Sequence, residues 1–291
     1  MKRRRFLFIA AAAAFSGAAR AENTTWQADM LGGTIRVDVS GPRGLAQNVV
    51  RLIGSTIAEV EAAASLFNAN SALNRLNTLG HLEGPPPALI DLLRLANNVH
   101  QATAGRFDPT VQPLWRALAE GRDTTEAQAA IGWELVHIGP PVQLARGQAL
   151  TLNGIAQGYA ADRVRRLLLA EGYAQALVDM GEFAAIGGPF NVAVEDPALG
   201  QIATRRLAGN AIATSSPSAM MLGTGFHILG PHGERPCWST ISVEAGSAAI
   251  ADGFSTAFCL MTRDEIRATL RRVHGIKRVT AVDMAGDVST F

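Results

Sequence analysis

The segment SAAIADGFSTAFCLM at 247–261 constrains this chain more than any other stretch. Nearly every position from Ala248 to Met261 is apolar, so the helix it predicts has no face to offer water and must be buried on most sides. Yet it carries Asp252, Ser255 and Thr256, and spacings of three and four residues put all three on one face. A lone carboxylate in such surroundings is costly unless a cation or several donors compensate it. A carboxylate, a hydroxyl and backbone carbonyls are hard oxygen ligands of the kind Mg²⁺ accepts. An Asp bonded to backbone N–H groups or to an arginine would satisfy the same helix, and both readings stand at this point.

A second unusual stretch is TLNGIAQGYAADRV at 151–164, which turns at Asn153-Gly154 and continues as a helix with no charge before Asp162. A helix opening on two glycines without an acidic first turn suits an anion at its N-terminus, where unpaired N–H groups and the macrodipole attract phosphate. A tight strand-to-helix turn explains the glycines equally well.

With 291 residues, 48% hydrophobic and 18% charged, the chain can bury one large core or two modest ones. A formal net charge of +1 gives no electrostatic footprint for nucleic acid. The opening MKRRRFLFIAAAAAFSGAARA has a basic start, an apolar run too short to span a bilayer and a small-x-small site at Ala19-Arg20-Ala21, so residues 1–21 are expected to be a removable signal peptide. Arg3-Arg4 before Phe6-Leu7 fits the twin-arginine pattern, and an ordinary secretory signal is the alternative. The mature protein, 22–291, is expected to be soluble and periplasmic, without a transmembrane segment. Cys237, in a loop marked by prolines, and Cys259, in an apolar run, are expected to be free thiols, with a bridge between them as the alternative, and they lack the spacing of a zinc or redox motif.

Periodicity predicts a strand at 35–39, a helix along Leu45 to Val60, a turn at Asn68 to Ser71, and a helix at 88–102 ending at Gly105. A short helix from Asp123, with a capping box to Glu126, and a strand at 148–152 follow. Strands at 176–180 and 191–195, the apolar helix, a helix capped by Thr262 with Glu265, and two strands flanking Ala285 to Asp287 complete the reading. Helices and strands mix without strict alternation, which is an α+β pattern.

FDPTV at 107–111, LNGIAQGYAADRV at 152–164, LVDMGE at 177–182, ATSS at 213–216, HILGP at 227–231 and SAAIADGFSTAF at 247–258 resemble, in order, the successive motifs of the ApbE family. SLFNANSALNRLN at 65–77 resembles its early motif. The resemblance implies a mixed fold of two closely packed subdomains with an active cleft between them. It implies FAD:protein FMN transferase activity, with FAD as donor, Mg²⁺ as metal and a Thr or Ser hydroxyl of an exported or membrane-bound flavoprotein as acceptor. Carried onto this chain, Asp252, Thr256 and the carbonyl of Gly154 would hold the metal, with Ser255 beside it. Phe107, Asp108 and the preceding Arg106 fall at the flavin site, Phe67 takes the place of the aromatic packed on the flavin ring, and Met30 that of an early methionine. His227 matches the histidine cast as general base.

The chain departs from the pattern at three places. Thr151 stands where the family commonly has Asp, Gln157 where Lys is frequent, and Gly230 where HIIDP-type motifs have Asp. The changes resemble an exported branch related to NosX, and bear on catalysis more than on flavin binding. The chemistry expected is phosphoryl transfer with AMP leaving, the turn at Gly154 to Gly158 supplying N–H donors and His227 taking the proton of the incoming hydroxyl. Hydrolysis of FAD to FMN and AMP, or flavin binding without catalysis, would use the same site. His227 could equally be structural, and Glu182 could meet flavin or solvent.

Overall fold

A computed structural model describes residues 23–291 except 31, 32, 42, 43 and 224. The expected signal peptide lies outside the described residues. The described residues begin with the antiparallel hairpin β1 (Asn23–Met30) and β2 (Gly33–Ser40), followed by α1 (Gln47–Ala64), α2 (Ala72–Leu79), the short β3 (His81–Leu82), α3 (Pro87–Ala102), α4 (Gln112–Glu120), α5 (Thr125–Ala129) and the short β4 (Val142–Gln143). Helix α6 (Ala156–Ala170) then leads to β5 (Ala176–Asp179), β6 (Phe183–Ile186), β7 (Phe190–Asp196), β8 (Gly200–Leu207) and β9 (Ala211–Ser215). After the short pair β10 (Met221–Leu222) and β11 (Gly225–Phe226) come β12 (Trp238–Ala245), α7 (Ala248–Phe258), α8 (Arg263–Leu270), β13 (Ile276–Asp283) and β14 (Val288–Thr290).

Eight strands form one antiparallel sheet in the order β1-β2-β5-β6-β9-β12-β13-β14. Side chains alternate between its faces, and both faces of the central strands are covered. Val178, Ala184 and Ile186 join the main core under the helices. Leu177, Phe183 and Ala185 point the other way, onto Phe190, Val192, Val194 and Leu207 of the β7–β8 hairpin. Burial on two sides explains why β5 and β6 read as continuous apolar runs.

Helix α7 lies against β9 and β12 on one side and α3 and α6 on the others, which accounts for its apolar surround. The expected strand at 148–152 is not formed. Asn77 reaches across from α2 and satisfies both backbone groups of Leu150, accepting from its N–H at 2.7 Å and donating to its carbonyl at 2.9 Å, so no strand partner is required. The capping box from Asp123 to Glu126 is also absent. Asp123 instead accepts from the N–H and hydroxyl of Thr125, and Thr124 occupies the N-cap. The Thr262–Glu265 box forms as expected. Cys237 is exposed, Cys259 is buried and both are free. Among the described residues no helix is long and apolar enough to cross a membrane.

Candidate active site

The two glycines of the 151–164 stretch are explained by what packs against them. A Cβ on Gly158 would collide with the carbonyl oxygen of Ala248 and lie 2.8 Å from Ala249 Cα, so only glycine lets α6 cross the start of α7 this closely. A Cβ on Gly154 would lie 2.8 Å from Thr256 Oγ1 and 3.3 Å from the ring of Phe107. The turn therefore rests directly on the polar face of α7 and on Phe107 of the FDPT motif.

Each helix meets the other's N-terminus with a carboxylate. Asp252 of α7 accepts from the N–H of Gly158 at 3.1 Å, while Asp162 of α6 accepts from Ala249 N–H at 3.1 Å and from the Ser247 hydroxyl at 2.5 Å. The absence of an acid in the first turn of α6 now has a cause, because α7 supplies the anion. The N–H donors expected to face a phosphate are thus partly committed, Gly158 to Asp252 and Ala156 to the carbonyl of Leu152. Gln157 sits half-buried between them.

Asp252 is 3% exposed, and burial pushes its carboxyl up to about 7 against the opposing pull of the Gly158 N–H. Glu182, 7% exposed, accepts from Thr214 N–H at 3.1 Å, and its carboxyl is driven well above the usual range by burial first and by the Asp252 charge second. Glu182 therefore does not face solvent, and the partner the structure gives it is the Thr214 N–H. Asp179, at the preceding strand end, is raised to about 6, again chiefly by burial. Asp179, Glu182 and Asp252 are thus three carboxyls held above the ordinary range chiefly by burial.

The hydroxyls beside Asp252 form a directed chain. Ser255 donates to the Asp252 carbonyl at 2.9 Å, Ser215 lies 2.7 Å from Ser255, and Thr256 lies 3.3 Å from Ser215. With the Ser255 hydrogen committed, Ser215 donates to Ser255 and Thr256 to Ser215, so Thr256 Oγ1, packed beside Gly154, has its hydrogen committed and keeps acceptor capacity.

The structure joins the FDPT motif and Thr151 to the Gly154 turn, whereas Phe67 and Met30 stand on separate segments. Phe107 is buried, and its carbonyl accepts from His100 Nδ1 at 2.9 Å. Asp108 Oδ1 accepts from the N–H and hydroxyl of Thr110, fixing the turn after the FDPT motif. Thr151 N–H donates to the carbonyl of Pro109 at 2.9 Å, which ties that motif to the Gly154 turn. Phe67 is 65% exposed on the loop between α1 and α2, and Asn74 Nδ2 braces that loop through the carbonyls of Ser65, Leu66 and Asn68. Met30 ends β1, paired with Gly33. Arg106, expected at the flavin, has its guanidinium shared between Glu234 at 2.7 Å and Glu265 at 2.8 Å.

His227 follows β11. Its Nδ1 lies 3.0 Å from the carbonyls of both Pro217 and Met220. A carbonyl can only accept, so Nδ1 carries the proton and Nε2 holds a free lone pair. Burial keeps the imidazole below its ordinary pKa of 6.5, and therefore neutral at neutral pH.

The ApbE family model matches residues 24–280. The chain belongs to the ApbE family. It is 25% identical over 252 residues to the FAD:protein FMN transferase of Salmonella typhimurium, covering 72% of this chain and 69% of that one. It is 25% identical over 242 residues to the protein of the same name from Klebsiella pneumoniae, covering 71% and 69%. In structure it resembles the flavin transferase ApbE of Vibrio cholerae, with TM-score 0.81, 21% identity and coverage of 94% and 97%. The apo flavinyl transferase ApbE of Pseudomonas stutzeri matches with TM-score 0.81, 24% identity and coverage of 95% and 96%.

Within this ApbE frame, three participants escaped sequence reasoning. Ser215 lay in the ATSS motif, but only the sheet register beside α7 shows that it links Ser255 to Thr256. Asp162 looked like an ordinary first helix charge, although it caps α7. Glu234 carried no sequence signal at all.

Proposed function

We propose that this chain is a magnesium-dependent FAD:protein FMN transferase that places FMN on a Thr or Ser hydroxyl of an exported flavoprotein, with AMP as leaving group and the periplasm as the place of reaction. The observation that carries the reading is that the 154–158 turn meets the polar stripe of α7 at both ends, Gly158 N–H donating to the buried Asp252 and Gly154 packing against Thr256 Oγ1. The names of the Salmonella and Klebsiella relatives support the same activity.

The residues fit magnesium. Asp252 is a buried carboxylate with no cationic partner among the described residues, Thr256 and the Gly154 carbonyl are hard oxygens, and Mg²⁺ takes few protein ligands and completes its shell with water and phosphate. Among the described residues no group of three or more His, Cys, Asp or Glu side chains is arranged to hold a metal, so the donor set rests on one carboxylate with hydroxyl and backbone oxygens. A bound cation would neutralise the diphosphate and its developing charge.

The chain's own residues supply the remaining chemistry. Phe67 offers an exposed aromatic face to the flavin ring, and the braced loop holds it in place. Nε2 of neutral His227 accepts the proton of the acceptor hydroxyl as its oxygen bonds to the FMN phosphorus. The bond from that phosphorus to the bridging oxygen breaks, and AMP carries that oxygen away. Incubating the protein with FAD, Mg²⁺ and a flavoprotein domain bearing a Thr or Ser flavinylation site tests the reading. Flavin on the domain with stoichiometric AMP is expected. Free FMN would make the chain an FAD hydrolase, and unchanged FAD a flavin-binding module.

A further inference from the structure

The loop that follows His227 is fastened to the FDPT motif by an arrangement the reaction has not yet used. Arg106 immediately precedes Phe107, and its two terminal nitrogens hold Glu234 Oε1 at 2.7 Å and Glu265 Oε1 at 2.8 Å. Glu265 is itself fixed as the acidic member of the α8 capping box. The second oxygen of Glu234 accepts from His232 N–H at 2.8 Å. The turn from Gly230 to Gly233 closes through a 3.3 Å backbone bond, with Gly233 at φ +85°. Gly230 is packed under Glu234. A Cβ there would collide with Glu234 Oε2 and lie 2.6 Å from Glu234 Cβ.

We infer that the Arg106–Glu234 pair is a positioning device for the transfer reaction, and that Glu234 supplies the carboxylate that Gly230 does not. The inference rests on the transferase reading above. His227 is anchored on its N-terminal side by the carbonyls of Pro217 and Met220, both within its own hairpin region. On its C-terminal side the loop reaches the flavin-site motif through Glu234 and Arg106. Both charges are largely sheltered, with side-chain exposures of 24% for Arg106 and 19% for Glu234, so the pair is screened less by solvent than a surface bridge. Because Arg106 adjoins Phe107 and Phe107 touches the Gly154 turn, one guanidinium sets the distance between the proposed base and the site that takes the diphosphate.

Glu234→Gln keeps size and the His232 contact but removes the charge. It is expected to lower kcat for FMN transfer by about 10–100-fold, the usual effect of misplacing a reacting group by roughly an ångström, with FAD Kd and acceptor KM within about two-fold of wild type. Arg106→Lys, which cannot span both carboxylates, should lower kcat in the same way. Gly230→Asp combined with Glu234→Gly returns a carboxylate to the same space and should recover most of the lost rate. A purely structural pair would lower the melting temperature and leave kcat per folded molecule intact, and that result would overturn the inference. Wild-type kcat in Glu234→Gln, or no recovery in the double variant, would overturn it while leaving the transferase reading standing. No transfer by the wild-type chain would overturn both.

Discussion

Asp252 Oδ2 accepts the backbone N–H of Gly158 at 3.1 Å, so the one acid on the apolar helix α7 sits at the N-terminus of α6. The reading of that acid as bonded to a backbone N–H is the one this contact bears out. It is bonded to the backbone, and it is still left with a carboxyl raised to about 7, because a single N–H does not compensate its burial.

Asp252→Asn should separate the two roles. The amide oxygen can still accept from Gly158, so the helix crossing survives, whereas the charge that would hold magnesium is lost. AMP release from FAD should fall by at least about 10²-fold, the scale seen when one electrostatic stabiliser is removed, with the melting temperature unchanged or raised. Wild-type AMP release at limiting Mg²⁺ would count against the metal assignment.

The two glycines should respond differently to alanine. At Gly158 the added methyl meets backbone of Ala248 and Ala249, which cannot rotate away, so stability in denaturant should drop by about 1–3 kcal/mol or more. At Gly154 it meets the Thr256 side chain at 2.8 Å, which can turn, and φ there needs no glycine. Gly154→Ala should therefore fold nearly normally but lose turnover, because the hydroxyl that moves is the one proposed to hold magnesium. Equal loss of stability in both variants would refute this division.

The parts of the fold legible in sequence were those set by local pattern. The burial of α7 follows from the apolar residues that surround its single short polar stripe, the Thr262–Glu265 box from local capping chemistry and the Ser71 turn from its Asn and Ser residues. Elements decided by distant partners were not legible. The stretch at 148–152 has strand-like residues, but Asn77 takes its hydrogen bonds, and nothing local announces that. For the same reason the polar face of α7 could be read as a site while its neighbours Ser215 and Glu182, brought by β9 and the turn before β6, could not be assigned.

Phe67 provides a test of flavin binding that leaves stability aside. Its ring is 65% exposed on a braced loop, so truncation removes little from the core. Phe67→Ala should weaken FAD by the loss of ring stacking, about 0.5–1.5 kcal/mol beyond area burial, or roughly 2–10-fold in Kd, with an unchanged melting temperature. Unaltered FAD affinity by fluorescence quenching would remove Phe67 from the flavin site.

His227 is where pH should expose the mechanism. Its folded pKa lies below 6.5, burial outweighing the two carbonyls that accept from Nδ1, so the base form with a free Nε2 is present throughout pH 6.5 to 8. At saturating Mg²⁺ and FAD, kcat should stay level across that range and decline only below 6.5. The stability consequence has the same sign. Below 6.5 the unfolded chain takes up a proton that the folded chain resists, so the contribution of His227 is complete above 6.5 and is lost as pH falls through the folded value. Gln at this position can still donate to the carbonyls of Pro217 and Met220 but cannot take a proton. His227→Gln should thus lower kcat by roughly 10²–10⁴-fold, flatten the acid limb and leave FAD affinity nearly intact. A variant that transfers FMN at the wild-type rate from pH 6 to 8 would leave activation of the acceptor hydroxyl to the metal position alone.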